Sequence, residues 1–82
     1  MYYVYILQSK TTGSYYVGQT NNLSERLIKH NRKQSKYTKN KGPWELVYSE
    51  EFSTRVEALF QENRIKKMKS RKYIENLINS IG

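Results

Sequence analysis

The opening of the chain constrains it most. Tyr2-Tyr3-Val4-Tyr5-Ile6-Leu7 is an unbroken run of aromatic and aliphatic residues, Thr11-Thr12-Gly13-Ser14 supplies turn chemistry, and Tyr15-Tyr16-Val17-Gly18 resumes the pattern. Aromatic and β-branched side chains suit a pleated, half-buried surface. Two such runs around a turn predict a β-hairpin. The first run is far shorter than the roughly 20 apolar residues of a membrane helix, or than a signal sequence with its flanks.

The elements that follow can be read from caps and periodicity. Asn21 or Asn22 can cap a helix, with Glu25 as the far half of a capping box from Asn22, and Leu23, Leu27 and Ile28 form its apolar side. This helix is expected to reach about residue 33. Residues 34–42 hold Lys, Asn, Ser and Gly with almost nothing to bury, which predicts a basic loop closed by Gly42-Pro43. Trp44, Leu46 and Tyr48 alternate with Glu45 and Val47, the period of a half-buried third strand. Thr54-x-x-Glu57 is a second capping-box signature. It opens a helix in which Val56, Leu59, Phe60, Ile65 and Met68 are expected to face the core. Ser70 can cap a last helix carrying Tyr73, Leu77, Ile78 and Ile81. The expected order is ββαβαα: an α/β (α+β) fold with a three-stranded antiparallel sheet flanked by helices.

With 82 residues there is room for one domain, taken as residues 1–82, so every motif must share one core. A chain of this size buries only about 60% of its unfolded surface. A separate target-recognition domain does not fit, so a monomer is expected, with weak target choice or a partner protein that supplies it. The absence of cysteine excludes disulfide scaffolds and thiolate metal sites, and makes the cytoplasm the default location. Fifteen Lys and Arg against seven acids leave a net charge of +8. Lys29, Arg32, Lys33, Lys36, Lys39 and Lys41 form one acid-free cluster; Arg64, Lys66, Lys67, Lys69, Arg71 and Lys72 form another. Such clusters attract polyanions, and phosphate backbones release counterions when Lys and Arg bind them. The plainer reading is a solvated basic surface, or one that meets anionic lipid. No amphipathic membrane helix is in sight, which favours nucleic acid.

Tyr3-Val4-Tyr5, ten residues, then Tyr16-Val17-Gly18 resembles the paired signature of the GIY-YIG nucleases. Leu23-Ser24-Glu25-Arg26 is similar to that family's helix-borne arginine, and Glu57-Ala58-x-x-x-Glu62 to the segment ending in its metal-binding glutamate. Any one motif is weak. All four, in order and on suitable elements across residues 2 to about 68, are fairly specific. The likeness is greatest to stand-alone bacterial members, which lack the appended domains of homing endonucleases and excision-repair nucleases.

The resemblance implies metal-dependent hydrolysis of phosphodiester bonds in DNA or RNA. It assigns Tyr5 and Tyr16 to binding and deprotonating the attacking water, with Tyr16 as general base. A phenol titrates near ~10, so this needs neighbouring positive charge. Arg26 would grip two phosphate oxygens with a planar, permanently charged fork. His30, one helical turn from Arg26, could share base duty or hydrogen-bond a phosphate. Glu62 falls between Ala58 and Leu59 on the helical wheel, where a charge needs a partner. Mg²⁺ or Mn²⁺ suits it, since a hard cation takes one or two carboxylates and fills its shell with water and phosphate oxygens. Lys29, Arg32, Lys33, Lys36, Lys39, Lys66 and Lys67 are candidate phosphate contacts, and Tyr37 a candidate stacking platform for an unpaired base.

Each assignment has a plainer rival. Glu62 could be a helix glutamate paired with Lys or Arg, Arg26 could bridge to Glu25 or Glu62, and most strand tyrosines are simply packed aromatics. Tyr3, Tyr15, Tyr37, Tyr48 and Tyr73 are read that way, and Glu57 as a cap. The chain also departs from the family pattern. Tyr3 replaces a glycine, which concerns packing. Gln19 stands where some relatives carry a lysine, which removes a charge beside the second motif. A catalytically weak or inactive nucleic-acid-binding module of the same fold is the alternative function, and a basic interaction protein, such as one associated with the ribosome, is a further one.

Overall fold

The computed structural model describes residues 1–32 and 42–80. Strands β1 (Tyr2–Ser9) and β2 (Tyr15–Thr20) form the expected hairpin, followed by α1 (Leu23–Asn31), β3 (Trp44–Phe52), α2 (Arg55–Met68) and α3 (Arg71–Ser80). The three strands make an antiparallel sheet in the order β2-β1-β3. At the hairpin end Gly13 takes φ +76°, a conformation natural for glycine. The Ser9 hydroxyl accepts from the amides of Thr11 and Thr12 at 3.2 and 3.0 Å.

β1 is the middle strand, and its alternation divides the core in two. Val4 and Ile6 point to the layer of α2 and α3, where they are buried with Val17, Tyr48, Ala58 and Ile65. Tyr5 and Leu7 point the other way and meet Trp44, Tyr16, Leu23 and Leu27, so α1 closes that face. α1 starts where Asn22 Oδ1 accepts from the Glu25 amide at 3.1 Å. Its far end is tied to β3 by Asn31, whose side chain accepts from Trp44 N at 2.7 Å and donates to Trp44 O at 3.2 Å. At the head of α2 the Thr54 hydroxyl accepts from the Glu57 amide and donates to its carboxylate, an N-cap in which Glu57 serves a structural role. Ser70 Oγ accepts from the Tyr73 amide at 3.1 Å.

Three expectations need correction. α1 ends at Asn31 rather than about residue 33. In α2 the buried residues are Ala58 and Ile65, whereas Val56, Phe60 and Met68 are 77%, 70% and 51% exposed. The apolar residues of this helix are spread around its circumference, so only one stripe of them can face the sheet. The alternation of β3 is also broken. Ile6 lies opposite Tyr48 and Leu7 opposite Leu46, which leaves Val47 as an extra residue at a bulge. Trp44 and Tyr48 therefore serve opposite faces, and Leu46 is left 37% exposed. The basic loop with Lys33, Lys36, Tyr37 and Lys39 lies outside the described residues.

Candidate active site

Tyr5 stands opposite Gly18 in the hairpin, and Tyr16 opposite Leu7, so both phenols project from the α1 face. The Tyr5 ring crosses directly over Gly18. A Cβ on that glycine would lie 2.6 Å from the Tyr5 hydroxyl, 2.8 Å from its Cζ and 3.2 Å from Tyr16 Cε1. The glycine is thus the space into which Tyr5 fits. From α1, His30 reaches the same spot. It is 1% exposed, with Nε2 3.1 Å from Tyr5 Oη and its ring centroid 4.8 Å from that of Tyr16. The Tyr5 and Tyr16 centroids are 6.2 Å apart.

The electrostatics distinguish these groups. Burial pushes the Tyr5 phenol well above its ordinary range, reinforced by Tyr16 and by the Glu62 carboxylate; the Arg26 guanidinium pulls it down by less. Tyr5 therefore stays protonated at neutral pH. Burial, and then Arg26, push His30 below its ordinary value, so its imidazole is neutral. Nε2 then accepts from Tyr5 or donates to it according to tautomer. Tyr5 thus lies within electrostatic reach of side chains from β2, α1 and α2. β2 is an outer strand, with α1 over one face of the sheet and α2 over the other. Its free edge is where groups from both helices can meet.

Glu62 is neither open nor sealed. Its side chain is 13% exposed, and its carboxylate accepts from Lys66 Nζ at 2.6 Å, the lysine being half exposed. Arg26 bridges to neither glutamate considered for it: Glu25 pairs with Lys29 at 3.3 Å, and Glu62 with Lys66. Instead Arg26 lines an open cleft of about 230 Å³ with Tyr2, Gln19, Thr20, Asn21 and Arg55. A second hollow on the other side of the tyrosines is lined by Tyr15, Tyr16, Val17 and Lys66.

Residues 1–75 match the GIY-YIG catalytic domain. The chain belongs to the GIY-YIG family. Among bacterial relatives it is 43% identical over 75 residues to a UPF0213 protein of Staphylococcus saprophyticus, covering 90% of each chain. It is 41% identical over 83 residues to the UPF0213 protein YazA of Bacillus subtilis, covering 96% of this chain and 83% of that one. Among solved structures it resembles the solution NMR structure of the UPF0213 protein BH0048 from Bacillus halodurans. That match has a TM-score of 0.61 and 38% identity, and covers 96% of this chain and 84% of that one.

Within this GIY-YIG chain the candidate residues fall into distinct groups. Tyr5, Tyr16 and His30 gather around the Gly18 notch, and Arg26 and Glu62 act on the Tyr5 phenol electrostatically. Arg32 is exposed at the end of α1, Lys29 is held by Glu25, and Lys67 lies on the outer side of α2 beside Phe60, Asn63 and Arg64. Two features were not read from the sequence. Arg55 shares the Arg26 cleft, although as a charge at a helix start it reads as solvated. His30 is buried against Tyr5, and its one-turn spacing from the apolar Leu27–Leu23 side of α1 was the available signal. Among the described residues no three His, Cys, Asp or Glu side chains gather as a metal cage, and no helix is long and apolar enough to cross a membrane.

Proposed function

We propose that this protein is a metal-dependent endonuclease that hydrolyses phosphodiester bonds of DNA or RNA at the free edge of β2. The observation that carries this reading is the buried phenol of Tyr5 seated over Gly18, with His30 Nε2 3.1 Å from its hydroxyl and the Tyr16 ring centroid 6.2 Å away, within electrostatic reach of Arg26 and Glu62.

Each residue has a task that its environment supports. Tyr16, half-buried rather than sealed, is the general base: as phenolate, a form that the neighbouring positive charge of Arg26 and a bound cation would favour, it takes the proton of the attacking water and becomes the phenol. Tyr5, kept neutral by burial, donates or accepts a hydrogen bond and so orients that water. Neutral His30 fixes the Tyr5 hydroxyl through the 3.1 Å contact, which makes it a positioning residue rather than a phosphate ligand. Arg26 clamps the non-bridging oxygens and stabilises the charge that grows on them in the transition state.

The donor set fits a divalent cation of the Mg²⁺ or Mn²⁺ type. A single, partly exposed carboxylate with no accompanying cage suits an ion that keeps water and phosphate oxygens as its other ligands. Glu62 already holds a cationic group, the flexible and half-exposed ammonium of Lys66. Bound at Glu62, the ion would polarise the phosphoryl group and stabilise the departing oxygen. The Lys66 ion pair also favours a second reading, a nucleic-acid-binding module with little turnover, and Gln19 in the cleft supports it by supplying no charge.

Cleavage separates the two. The nuclease should nick plasmid or cut single-stranded substrates with Mg²⁺ or Mn²⁺ and stop in EDTA. Glu62→Ala and Tyr16→Phe should abolish cutting and spare binding. A pure binder would cut nothing under any metal and respond to salt alone.

A further inference from the structure

We infer that the cleft between α1 and the start of α2 is a binding subsite for a nucleic-acid backbone phosphate next to the one that reacts, with Arg55 as its positioning residue. This rests on the nucleic-acid reading above and extends it to a residue that neither the signature motifs nor the basic clusters include.

Three observations carry it. First, the cleft of about 230 Å³ is lined by two guanidinium-bearing residues, Arg26 and Arg55, together with Tyr2, Gln19, Thr20 and Asn21, and by no acid. Two like charges facing one hollow repel each other unless an anion lies between them. Second, the described ion pairs join Lys10 to Glu45, Lys29 to Glu25, Lys66 to Glu62 and Arg71 to Glu75. Neither arginine of the cleft has a carboxylate partner among the described residues. Third, Arg55 is the first residue of the 14-residue helix α2. The positive end of a helix is an unfavourable place for a cation. Glu57 supplies the acid that suits this first turn but lies outside the cleft lining, so the charge of Arg55 is left facing the hollow, where a ligand anion can meet it.

Phosphate is the anion that the lining fits. Two planar forks offer paired donors to non-bridging oxygens, and the side-chain amides of Gln19 and Asn21 add neutral polar groups, while the Thr20 hydroxyl is engaged with the Asn22 backbone. Gln19 thereby has a use where a lysine would crowd a third charge into the hollow. Because Arg26 belongs to both the cleft and the tyrosine cluster, a phosphate held by Arg55 sets the register of the strand on the catalytic groups. The substrate must then extend past the cut by at least one further phosphate.

The test is binding of a fluorescein-labelled single-stranded oligodeoxynucleotide in EDTA, followed by anisotropy as monovalent salt is raised. Arg55→Gln should weaken binding severalfold and flatten the slope of log K against log salt by about 0.7, the loss of one single-strand phosphate contact. Lys10→Gln, in neither basic cluster and paired with Glu45 at the surface, should leave the slope unchanged. Arg55→Lys should restore the slope but not the full affinity, because the charge returns without the fork. The inference is overturned if Arg55→Gln behaves as Lys10→Gln does, or if the wild type shows no salt-dependent binding. Should Arg55→Gln fail to fold, NMR of the unaltered protein decides: the oligonucleotide should shift the side-chain amides of Gln19 and Asn21, and unmoved resonances count against the subsite. Cutting is read separately. An intact slope in Arg55→Gln, with cleavage by the unaltered protein, sinks the subsite alone; a flattened slope in Arg55→Gln, with no cleavage by the unaltered protein under Mg²⁺ or Mn²⁺, sinks the nuclease alone.

Discussion

The hydroxyl of Tyr5 occupies the place where a side chain on Gly18 would begin, 2.6 Å from the position of its Cβ. Tyr5 is 2% exposed and held by His30, so it has little freedom to yield. Gly18→Ala should therefore destabilise the fold by roughly 1–3 kcal/mol, as overpacking does, and displace the phenol. Tyr5→Phe removes the closest atom, so combining it with Gly18→Ala should cost less than the sum of the two. Urea unfolding of the four proteins measures the coupling; strict additivity would mean that the two residues are independent.

Acid should weaken the protein through His30. Burial, then Arg26, hold its native value below the ordinary 6.5. Just below pH 6.5 the unfolded chain binds a proton that the folded chain refuses, so stability declines as pH falls through that window and levels off below the native value. His30→Phe should lose this part of the pH dependence, although it also loses the Tyr5 contact. Urea midpoints of both proteins across the window provide the comparison, and parallel curves would contradict it.

Alkali should act through two other side chains. Burial raises Tyr5 and Tyr48 above the ordinary 10.0, and Tyr48 also donates to Glu50 at 2.8 Å. The stability this reflects is complete below pH 10 and is lost as pH rises through the native values, because the unfolded chain gives up those protons first. Absorbance of tyrosinate should then lag for the buried phenols of Tyr5 and Tyr48 until the fold opens, with partly exposed Tyr3 also raised by Glu51 beside it. A single transition at the ordinary value for all eight tyrosines would refute the assignment.

The two sides of α2 should respond very differently to truncation. Ile65 is 1% exposed in the core, and Ile65→Ala should cost roughly 2–5 kcal/mol. Phe60 is 70% exposed, and Phe60→Ala should stay within about 0.5 kcal/mol. Thermal or urea unfolding checks both. A large loss at Phe60 would mean that this face is covered in solution.

Much of the fold was legible because its signals are local. Two aromatic runs around a Gly-containing turn, an asparagine three residues before a glutamate, and Thr54 three before Glu57 each act within a few residues of chain. The failures all involve partners distant in sequence. Val56 and Phe60 are as apolar as Ile65, and only the placement of α2 on the sheet decides which of them is buried. Trp44, Leu46 and Tyr48 alternate faultlessly on paper, yet pairing with β1 inserts Val47 between them. In the candidate site, the tyrosine pair follows from hairpin spacing. The contact between Tyr5 and His30 spans 25 residues; helical spacing could place His30 on the inner side of α1 but could not name its partner. Arg55 and Arg26 share a cleft only because the sheet carries their helices on either side of it, which no pattern along the chain encodes.

The extra residue in β3 ties the two halves of the core together. Trp44, on one side of it, supports α1 and the ring cluster of Tyr5 and Tyr16, while Tyr48, on the other, supports α2 and α3. Deleting Val47 would restore a regular pleat and turn one of these aromatics toward the wrong layer. The helices that carry Arg26 and Glu62 are thus kept in mutual alignment by a single irregularity on the strand farthest from the edge where they meet.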